Sequence, residues 1–257
     1  MDVLIRVDSI DHLIADVSEY LGCTTDEFLN DIRCINLRNR ENGVKYIRSK
    51  CTQKIPEIYF CHLTRRLSSD INDKILPLNR VLTEDTTLAA FFKQYGVTFE
   101  KRDNGTISVL YNKEPLEWWK YKENRDSVKR IYIRTTSDYC VNGFQFLYDI
   151  KNNAGNFNYY TKVPEFVRDL GPTFNPQVVD AFEKESTPYV ALCTLPYAHV
   201  EFDERGCSFQ EQYIYNVMSF IKDYCYEGSL LKTNTILLAK RDACLDVEKW
   251  IPVSELG

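Results

Sequence analysis

The sequence lacks any Cys-x-x-Cys pair, although it contains nine Cys. An odd number of scattered Cys favours reduced thiols over a disulfide framework or a zinc site. The sequence also lacks an apolar run of about 18 residues, the length that a membrane helix needs. Acidic residues interrupt its first apolar stretch, MDVLIRVDSIDHL, so no signal peptide is predicted. We therefore expect a cytoplasmic protein with no membrane association.

Most short catalytic signatures are absent as well. The chain has no G-x-x-x-x-G-K-[ST] phosphate loop, no G-x-G-x-x-G, no G-x-S-x-G and no H-E-x-x-H. It has only three His, and none of them lies among Cys or acidic residues at metal-ligand spacing. These absences exclude the common phosphate-loop, dinucleotide-binding and metalloprotease motifs, and we predict no metal site.

The composition that remains is that of a globular protein, with 44% apolar and 27% charged residues in 257. The net charge of −5 is distributed unevenly. Residues 32–54 contain seven Lys or Arg against one Glu, and residues 120–134 contain six against two acids. The uneven distribution favours local contacts with polyanions on a chain that is acidic overall.

The order of predicted elements is helical first and mixed afterwards. In SIDHLIADVSEYLG, Ser9 is suited to an N-cap, apolar residues recur at helical spacing, and Gly22 favours a helix end. A second helix over TTDEFLNDIRCI and a third, basic segment complete a helical subdomain over residues 1–54. Strands at irregular spacing follow in residues 55–257, which predicts an α+β domain with a mixed or antiparallel sheet.

Several local patterns within residues 55–257 predict individual elements. The segment VTFEKRDNGTISVLYN is typical of a β-hairpin, with Asn104-Gly105 as its type I′ turn. A strand is predicted over NGFQFLY, followed by a Gly/Asn-rich loop, DIKNNAGNFNYYTK, and a helix that opens at Pro164. TPYVALCTLPYAHV predicts a buried strand, QEQYIYNVMSFIKDYCYEG a long helix, and NTILLAKRD and KWIPVSEL two closing strands.

One stretch, YFCHLTRRLS, combines a strand end with reactive side chains. The apolar strand pattern EIYFCHL ends at His62, and Thr64 and two Arg follow directly. Cys61 stands beside His62, but neighbours on a strand point to opposite faces, so the two cannot act together as nucleophile and base.

The order of motifs around this stretch resembles that of the ADP-ribosyltransferases. A strand ends in His-x-Thr, a helix and ILPLNRVL follow, a loop carries Tyr-Tyr before Pro-Glu-Phe, and a strand–turn–strand closes with VEKWIPVSEL. It looks like the histidine–tyrosine class, which includes the poly(ADP-ribose) polymerases and bacterial DNA-targeting toxins. The resemblance covers about residues 55 to 256 and implies an ADP-ribosyltransferase-like domain that uses NAD.

The resemblance implies roles for four residues of the first motif. In that class the His, often in a His-x-Thr setting, contacts a ribose of NAD, and here His62 and Thr64 match this motif. Arg65 or Arg66 would meet the NAD pyrophosphate, because a planar guanidinium can hold two oxygens at once.

The resemblance also implies an aromatic ring that stacks on the nicotinamide. Tyr159 and Tyr160, in NFNYYTKVPEF, both stand at the matching position. The sequence does not distinguish them, so either is the predicted stacking residue.

The third position of the family pattern departs from expectation. Asn234 and Thr235 stand where the family has a catalytic Glu near the start of a late strand. Glu227 is the nearest upstream acid and is the predicted catalytic carboxylate, and Glu201 and Glu204 are alternatives. Otherwise the chemistry proceeds without an acid, as in the tRNA 2′-phosphotransferases.

The resemblance implies an enzyme that transfers ADP-ribose from NAD to a macromolecular acceptor. Cleavage of the nicotinamide–ribose bond builds positive charge on the sugar, which a stacking ring and a nearby carboxylate stabilise. The basic segments favour RNA or DNA slightly over protein as the acceptor. By resemblance to the toxins, we expect a microbial toxin or phage-defence effector with a neutralising antitoxin protein.

A second hypothesis is a non-catalytic module that binds nucleic acid or another partner. The basic segments Arg33–Lys54 and Lys120–Arg134 carry the charge, and the aromatic residues Trp118, Trp119 and Tyr121 lie beside the second segment. Positive charge with stacking rings is typical of proteins that bind single strands. Binding to RNA or DNA without turnover of NAD would favour this hypothesis.

Overall fold

A computed structural model describes residues 3–51, 53–67, 71–117, 120, 125–152, 162–202, 208–227, 236–240 and 242–256. Its α-helices are α1 Ile10–Tyr20, α2 Thr25–Cys34, α3 Arg40–Lys50, α4 Leu78–Thr83, α5 Thr87–Gln94, α6 Arg125–Thr136, α7 Leu147–Asn152, α8 Glu165–Thr173, α9 Gln177–Glu185 and α10 Phe209–Lys222. Its strands are β1 Glu57–Leu67, β2 Lys74–Ile75, β3 Val97–Lys101, β4 Ile107–Tyr111, β5 Glu114–Pro115, β6 Asn142–Phe144, β7 Ser186–Pro196, β8 Val200–Phe202, β9 Ile236–Ala239 and β10 Leu245–Pro252. The mixture of helices and antiparallel strand pairs confirms the predicted α+β class.

The chain divides into two units by contact density. Unit 1 contains Met1–Cys61, Asn142–Asn152 and Leu192–Leu238. Unit 2 contains His62–Val141, Asn153–Ala191 and Ala239–Gly257. Both units are built from segments that are discontinuous in sequence, and the predicted boundary after residue 54 stays a prediction.

Unit 1 is organised around α10, which packs against α1, α2 and α3. Side-chain caps set where the first two helices begin. Ser9 accepts from the His12 amide as predicted, and Thr24 forms a capping box with Glu27. Gly22 follows the end of α1 and has φ of +67°, a conformation that glycine adopts without strain. The apolar faces of these helices make the core of unit 1.

Unit 2 has a core rich in aromatic rings. Helices α5, α8 and α9 and the hairpin β3–β4 each contribute to it. Phe92 lies edge-on to Phe99 and to Phe166, at centroid distances of 5.6 and 6.2 Å. Phe91 makes a similar contact with Phe182 at 5.6 Å. Edge-to-face packing of this kind adds to the stabilisation that burial alone provides.

The seven-stranded sheet has the order β2-β10-β7-β1-β6-β9-β8, and a second, three-stranded sheet has the order β3-β4-β5. In unit 1, Cys61 of β1 pairs with Phe144 of β6, and β6 pairs antiparallel with β9. Gly143 is required in β6 because a Cβ there would lie 2.2 Å from Cδ2 of Phe60. The close approach of the Phe60 ring to the β6 backbone therefore depends on a missing side chain.

The predicted β3–β4 hairpin is present, but its predicted turn type is wrong. The amide of Arg102 donates to the Thr106 carbonyl, and the amide of Gly105 donates to the Arg102 carbonyl. Only Gly105 has positive φ, at +79°, and Asn104 does not. This pattern is a three-residue connection that ends in a left-handed glycine, whereas a type I′ turn needs positive φ at two successive residues.

A type I′ turn that was not predicted from the sequence joins the next pair of strands, β4 and β5. Asn112 and Lys113 have φ of 51° and 71° and join β4 to β5, with Tyr111 paired to Glu114. Two successive positive φ values match the right-handed twist of the flanking strands.

The strand predicted over NGFQFLY is shorter in the structure. Strand β6 ends at Phe144, and α7 begins at Leu147. The ring of Phe146 stacks on Phe220 of α10 at a centroid distance of 4.2 Å. Packing against α10 in unit 1 thus overrides the strand preference of this aromatic segment. None of the helices within the described ranges is long and apolar enough to cross a membrane.

Candidate functional site

The second half of β1 carries four of the predicted site residues. Residues 58–61 of the strand are buried, whereas His62–Arg66 are all half-buried. Successive side chains of a strand alternate between its two faces. His62, Thr64 and Arg66 therefore share one face of β1, and Arg65 lies on the other.

Arg65 binds the end of helix α9 and the start of β7, all within unit 2. Its Nε donates to Ser186 Oγ at 2.9 Å, and its Nη2 donates to the carbonyl oxygens of Ser186 and Glu183 at 2.6 and 2.8 Å. Desolvation by burial lowers the pKa of Arg65 from its usual value. We assign Arg65 a structural role, because its guanidinium satisfies carbonyls that the helix end leaves without intrahelical partners.

Arg66 lies against an aromatic ring on the opposite face. Its guanidinium carbon is 5.4 Å from the centroid of the Trp250 ring. Trp250 in turn lies edge-on to Tyr189 at 5.8 Å, and its indole N–H donates to the Asn72 carbonyl at 2.8 Å. A planar cation beside a fixed, half-buried ring can bind a phosphate and present a stacking surface together.

The residues that surround Arg66 on this face were not predicted from the sequence. In β10 the alternation of VEKWIP places Glu248 on the same face as Trp250. Glu248 is exposed, and two residues earlier Asp246 pairs with Lys74 at 3.5 Å. The alternating pattern of the strand around Trp250 is the sequence signal that could have predicted that Glu248 and Trp250 share a face. We call the set His62, Thr64, Arg66, Tyr189, Glu248 and Trp250 the β1 face.

Several predicted site residues lie outside the described residues. These are the two predicted stacking tyrosines, the two residues at the expected Glu position, and one alternative acid: Tyr159, Tyr160, Asn234, Thr235 and Glu204. The side chain of Glu201 lies outside them as well. The role of Tyr159 or Tyr160 therefore stays a prediction.

Glu227, the predicted catalytic carboxylate, lies in unit 1. It ends a π-helical turn, Asp223–Glu227, that continues α10. Its Oε2 is 3.4 Å from Nη2 of Arg38, whose side chain is 83% exposed. Such an exposed pair adds little stability, so the carboxylate can leave Arg38 at small cost.

The other histidines and the buried thiol do not form alternative sites. His12 lies on the surface of α1 with its Nδ1 2.7 Å from Asp8 Oδ1, and His199 is exposed in a short 3₁₀ turn. Cys61 is fully buried, and desolvation raises its thiol pKa well above the usual value, which suppresses the nucleophilic thiolate. Among the residues that the structure describes, no group of three or more His, Cys, Asp or Glu could hold a metal ion.

Several basic side chains of the two basic segments are paired with acids. In unit 1, three basic side chains of the first segment form ion pairs: Arg48–Glu211, Lys45–Glu41 and Lys50–Asp31. In unit 2, the second segment forms Arg130–Asp169 and Arg134–Asp138. The charge imbalance of the sequence therefore overstates the surface potential of both segments, and Trp118, Trp119 and Tyr121 lie outside the described residues.

A cavity of about 480 Å³ lies in unit 2 between α4 and the β3–β4 hairpin. Phe99 and Ile107 form part of its wall, together with Arg80. The Arg80 guanidinium donates to Glu84 Oε1 at 2.5 Å and to Cys244 Sγ at 3.0 Å. Because this cation is balanced within the wall, we assign the cavity no ligand.

No protein-family model, curated protein or solved structure matches the chain.

Proposed function

We propose that the chain is an NAD-dependent ADP-ribosyltransferase with an ADP-ribosyltransferase-like fold, and that it binds NAD on the β1 face of unit 2. The observation that carries the proposal is the shared face of His62, Thr64 and Arg66, with Arg66 against Trp250. A His that bonds a ribose hydroxyl, an Arg that holds phosphate oxygens and an aromatic ring that stacks on a base can together bind a dinucleotide.

Each residue has a chemical role in this proposal. His62 hydrogen-bonds a ribose hydroxyl, with Thr64 as the polar neighbour two residues on, and Arg66 holds oxygens of the pyrophosphate. Tyr159 or Tyr160 keeps its predicted place against the nicotinamide ring. This arrangement holds the sugar while the leaving ring departs, and orientation alone removes a large part of such a barrier.

The carboxylate that stabilises the positive sugar has two candidate sources. Glu227 is the acid that the sequence favours, and it lies in unit 1 beside Arg38. Glu248 lies in unit 2 on the same strand face as Trp250 and is exposed. Loss of the charge at the correct position removes an interaction made mainly in the transition state, so kcat falls while the affinity for NAD is kept.

The acceptor in this proposal is a macromolecule, with RNA or DNA favoured slightly over protein. By resemblance to the toxin members of the class, the setting is a microbial toxin or phage-defence effector that is neutralised by an antitoxin protein.

Incubation with NAD labelled in its adenylate part tests the proposal. RNA, DNA and total protein are supplied in separate reactions, and label is expected in one of the three pools. His62→Ala should lose most of the transfer while the protein stays folded, since a half-buried imidazole leaves little cavity. The matched control is His12→Ala, which removes a surface imidazole of α1 and should keep full activity.

Two results would overturn the proposal. The first is that folded wild-type protein binds no NAD and leaves all three pools without label. The other is full transfer by His62→Ala. In the first case, salt-dependent binding to nucleic acid would support the non-catalytic module instead. In the second case the transfer activity would stand, and the assignment of NAD to the β1 face would be wrong.

A further inference from the structure

Unit 1 has tyrosine and arginine side chains on both sides of the π-helical turn after α10: Tyr224 packs against α7 and Tyr226 against α2. We define the tyrosine surface as Tyr224 and Tyr226 of this turn, Tyr148 of α7, Arg33 of α2 and Arg38 of the following loop. Tyr224 is 38% exposed and Tyr226 is 42% exposed, which places them among the exposed large hydrophobic side chains of the described residues. All five residues belong to unit 1.

Neighbouring groups of unit 1 hold the tyrosine rings in place. Tyr224 lies edge-on to Tyr148 at a centroid distance of 4.9 Å. The hydroxyl of Tyr226 donates to the Leu29 carbonyl at 3.0 Å, and the Arg33 guanidinium carbon lies 5.9 Å from its ring centroid. The rings are therefore positioned in advance of any partner, which lowers the entropy that binding would otherwise cost.

The turn that displays these rings is an unusual piece of backbone. Asp223–Glu227 forms a π-helical turn at the end of a regular 14-residue helix. Insertions of this kind are rare and are found most often at functional sites. Here the wider turn brings two tyrosines, two residues apart, to the solvent.

The charges at this surface have an excess of cations. Lys222 donates to the carbonyls of Ile35 and Arg33 at 2.5 and 3.4 Å and so holds the end of α2. Arg33 and Arg38 are exposed, and Glu227 is the acid paired here, at 3.4 Å from Arg38. Arg33 and Arg38 belong to the first basic segment, and with Glu227 as the acid paired here they leave this part of the segment with an excess of positive charge.

We propose that the tyrosine surface binds single-stranded nucleic acid. Bases stack on exposed aromatic rings without regard to sequence, and arginines beside them meet the phosphates. Charge complementarity favours a polyanion over a protein partner, although tyrosine and arginine are also common in protein interfaces. The inference concerns binding alone and stands without the proposed transfer activity.

Titration of a labelled single-stranded RNA and a labelled single-stranded DNA, both without NAD, tests this surface. Tyr224→Ala and Tyr226→Ala should each weaken binding about tenfold, the scale of one lost base–aromatic stack. Tyr224→Phe keeps the ring and its edge-on contact with Tyr148, and should bind like the wild type. Tyr132→Ala is the comparison variant, because Tyr132 is 49% exposed on α6 within the second basic segment, the other candidate for nucleic-acid contacts.

The salt dependence separates phosphate contacts from stacking. Arg33→Ala and Arg38→Ala should each reduce the slope of log K against log salt concentration by about 0.7, the value for one phosphate contact on a single strand. The tyrosine variants should leave this slope unchanged. Far-ultraviolet circular dichroism confirms that each variant is folded.

A footprint on the unaltered protein provides a second measurement. Cys34 and Cys225 are exposed. Cys34 directly follows Arg33, and Cys225 lies between Tyr224 and Tyr226 in the sequence. Bound oligonucleotide should slow their alkylation several-fold, whereas Cys244 of unit 2 should react at an unchanged rate. Absence of binding to either strand at low salt would overturn the inference and favour a protein partner for this surface. Equal losses in Tyr224→Ala and Tyr132→Ala would also overturn it, because the binding would then not be specific to the tyrosine surface.

Discussion

The two halves of strand β1 have different environments although they are parts of one continuous strand. Ile58, Tyr59, Phe60 and Cys61 are buried on both faces, so this half belongs to the core of unit 1. The segment His62–Arg66 is half-buried and belongs to unit 2, with a structural arginine on one face and the proposed NAD-binding residues on the other.

This difference predicts which substitutions in β1 should change stability and which should change binding. In a close-packed half, removal of atoms leaves a cavity that the surroundings cannot fill. In a half-exposed strand, water replaces most lost contacts, so substitutions there change recognition more than folding. The following predictions test this division, beginning with the largest expected effect.

Phe60→Ala should have the largest effect on stability. Its ring is buried and packs against the backbone of Gly143, so truncation should lower the free energy of unfolding by about 3–5 kcal/mol. Chemical denaturation measures this change. The affinity of the remaining folded protein for NAD should be unchanged, and a selective loss of NAD binding with normal stability would contradict the division of β1.

Gly143→Ala should destabilise the same half by overpacking. The added Cβ would lie 2.2 Å from Cδ2 of Phe60, which predicts a loss of about 1–3 kcal/mol. Phe60→Leu combined with Gly143→Ala should recover part of this loss, because the smaller side chain leaves room for the methyl group. A double-mutant cycle measures the coupling, and strictly additive losses would show that the two residues do not contact each other.

Arg65→Ala should destabilise the second half of β1 through its hydrogen bonds. Removal of the guanidinium leaves the carbonyls of Ser186 and Glu183 without this donor and should cost about 1–2 kcal/mol. Thermal unfolding measures the loss. Titration of the same variant with NAD should give wild-type affinity, and a large loss of NAD binding would return Arg65 to the binding site.

Arg66→Ala should show the opposite behaviour to Arg65→Ala. The contact with the Trp250 ring contributes only about 0.5–1 kcal/mol at an exposed position, so stability should fall slightly. Affinity for NAD should fall about tenfold, as expected for a lost charge-assisted contact to the pyrophosphate. Equal NAD affinities for the two arginine variants would remove the basis for choosing between the two faces.

Glu227→Gln should have the smallest effect on folding. The pair with Arg38 is exposed, so the free energy of unfolding should change by less than about 1 kcal/mol. If Glu227 is the catalytic carboxylate, transfer should fall on the order of 100-fold while NAD affinity is kept. The same measurement on Glu248→Gln decides between the two acids. Wild-type transfer by Glu227→Gln with a large loss in Glu248→Gln would assign the role to Glu248.

The sequence predicted the elements whose signals are local. Ser9, Thr24 and Thr86 cap the helices that their patterns indicate, because each side chain bonds an amide only three residues away. The apolar run EIYFCHL predicted the first half of β1, and its alternation is enough to separate His62 from Cys61. The predicted strand end at His62 is wrong, because β1 continues to Leu67 and His62 lies in its middle. The α+β class follows from the order of these local signals.

The candidate site was predictable only in part. His62 stands at the end of an apolar run, and this run predicted the strand. No pattern in the sequence distinguished Arg65 from Arg66. Their difference depends on the end of α9 and on the ring of Trp250, which lie more than a hundred residues away in the chain. No periodicity within β1 contains that information.

The sequence by itself determined where helices begin, where strands run and which residues alternate, because these depend on neighbours within a few positions. Only the tertiary structure decided the turn type at Gly105, the pairing of basic side chains with distant acids and the contrast between the two arginines. Each of these is set by packing between segments far apart in sequence. Such packing depends on the free energy of the whole fold, which no local pattern expresses.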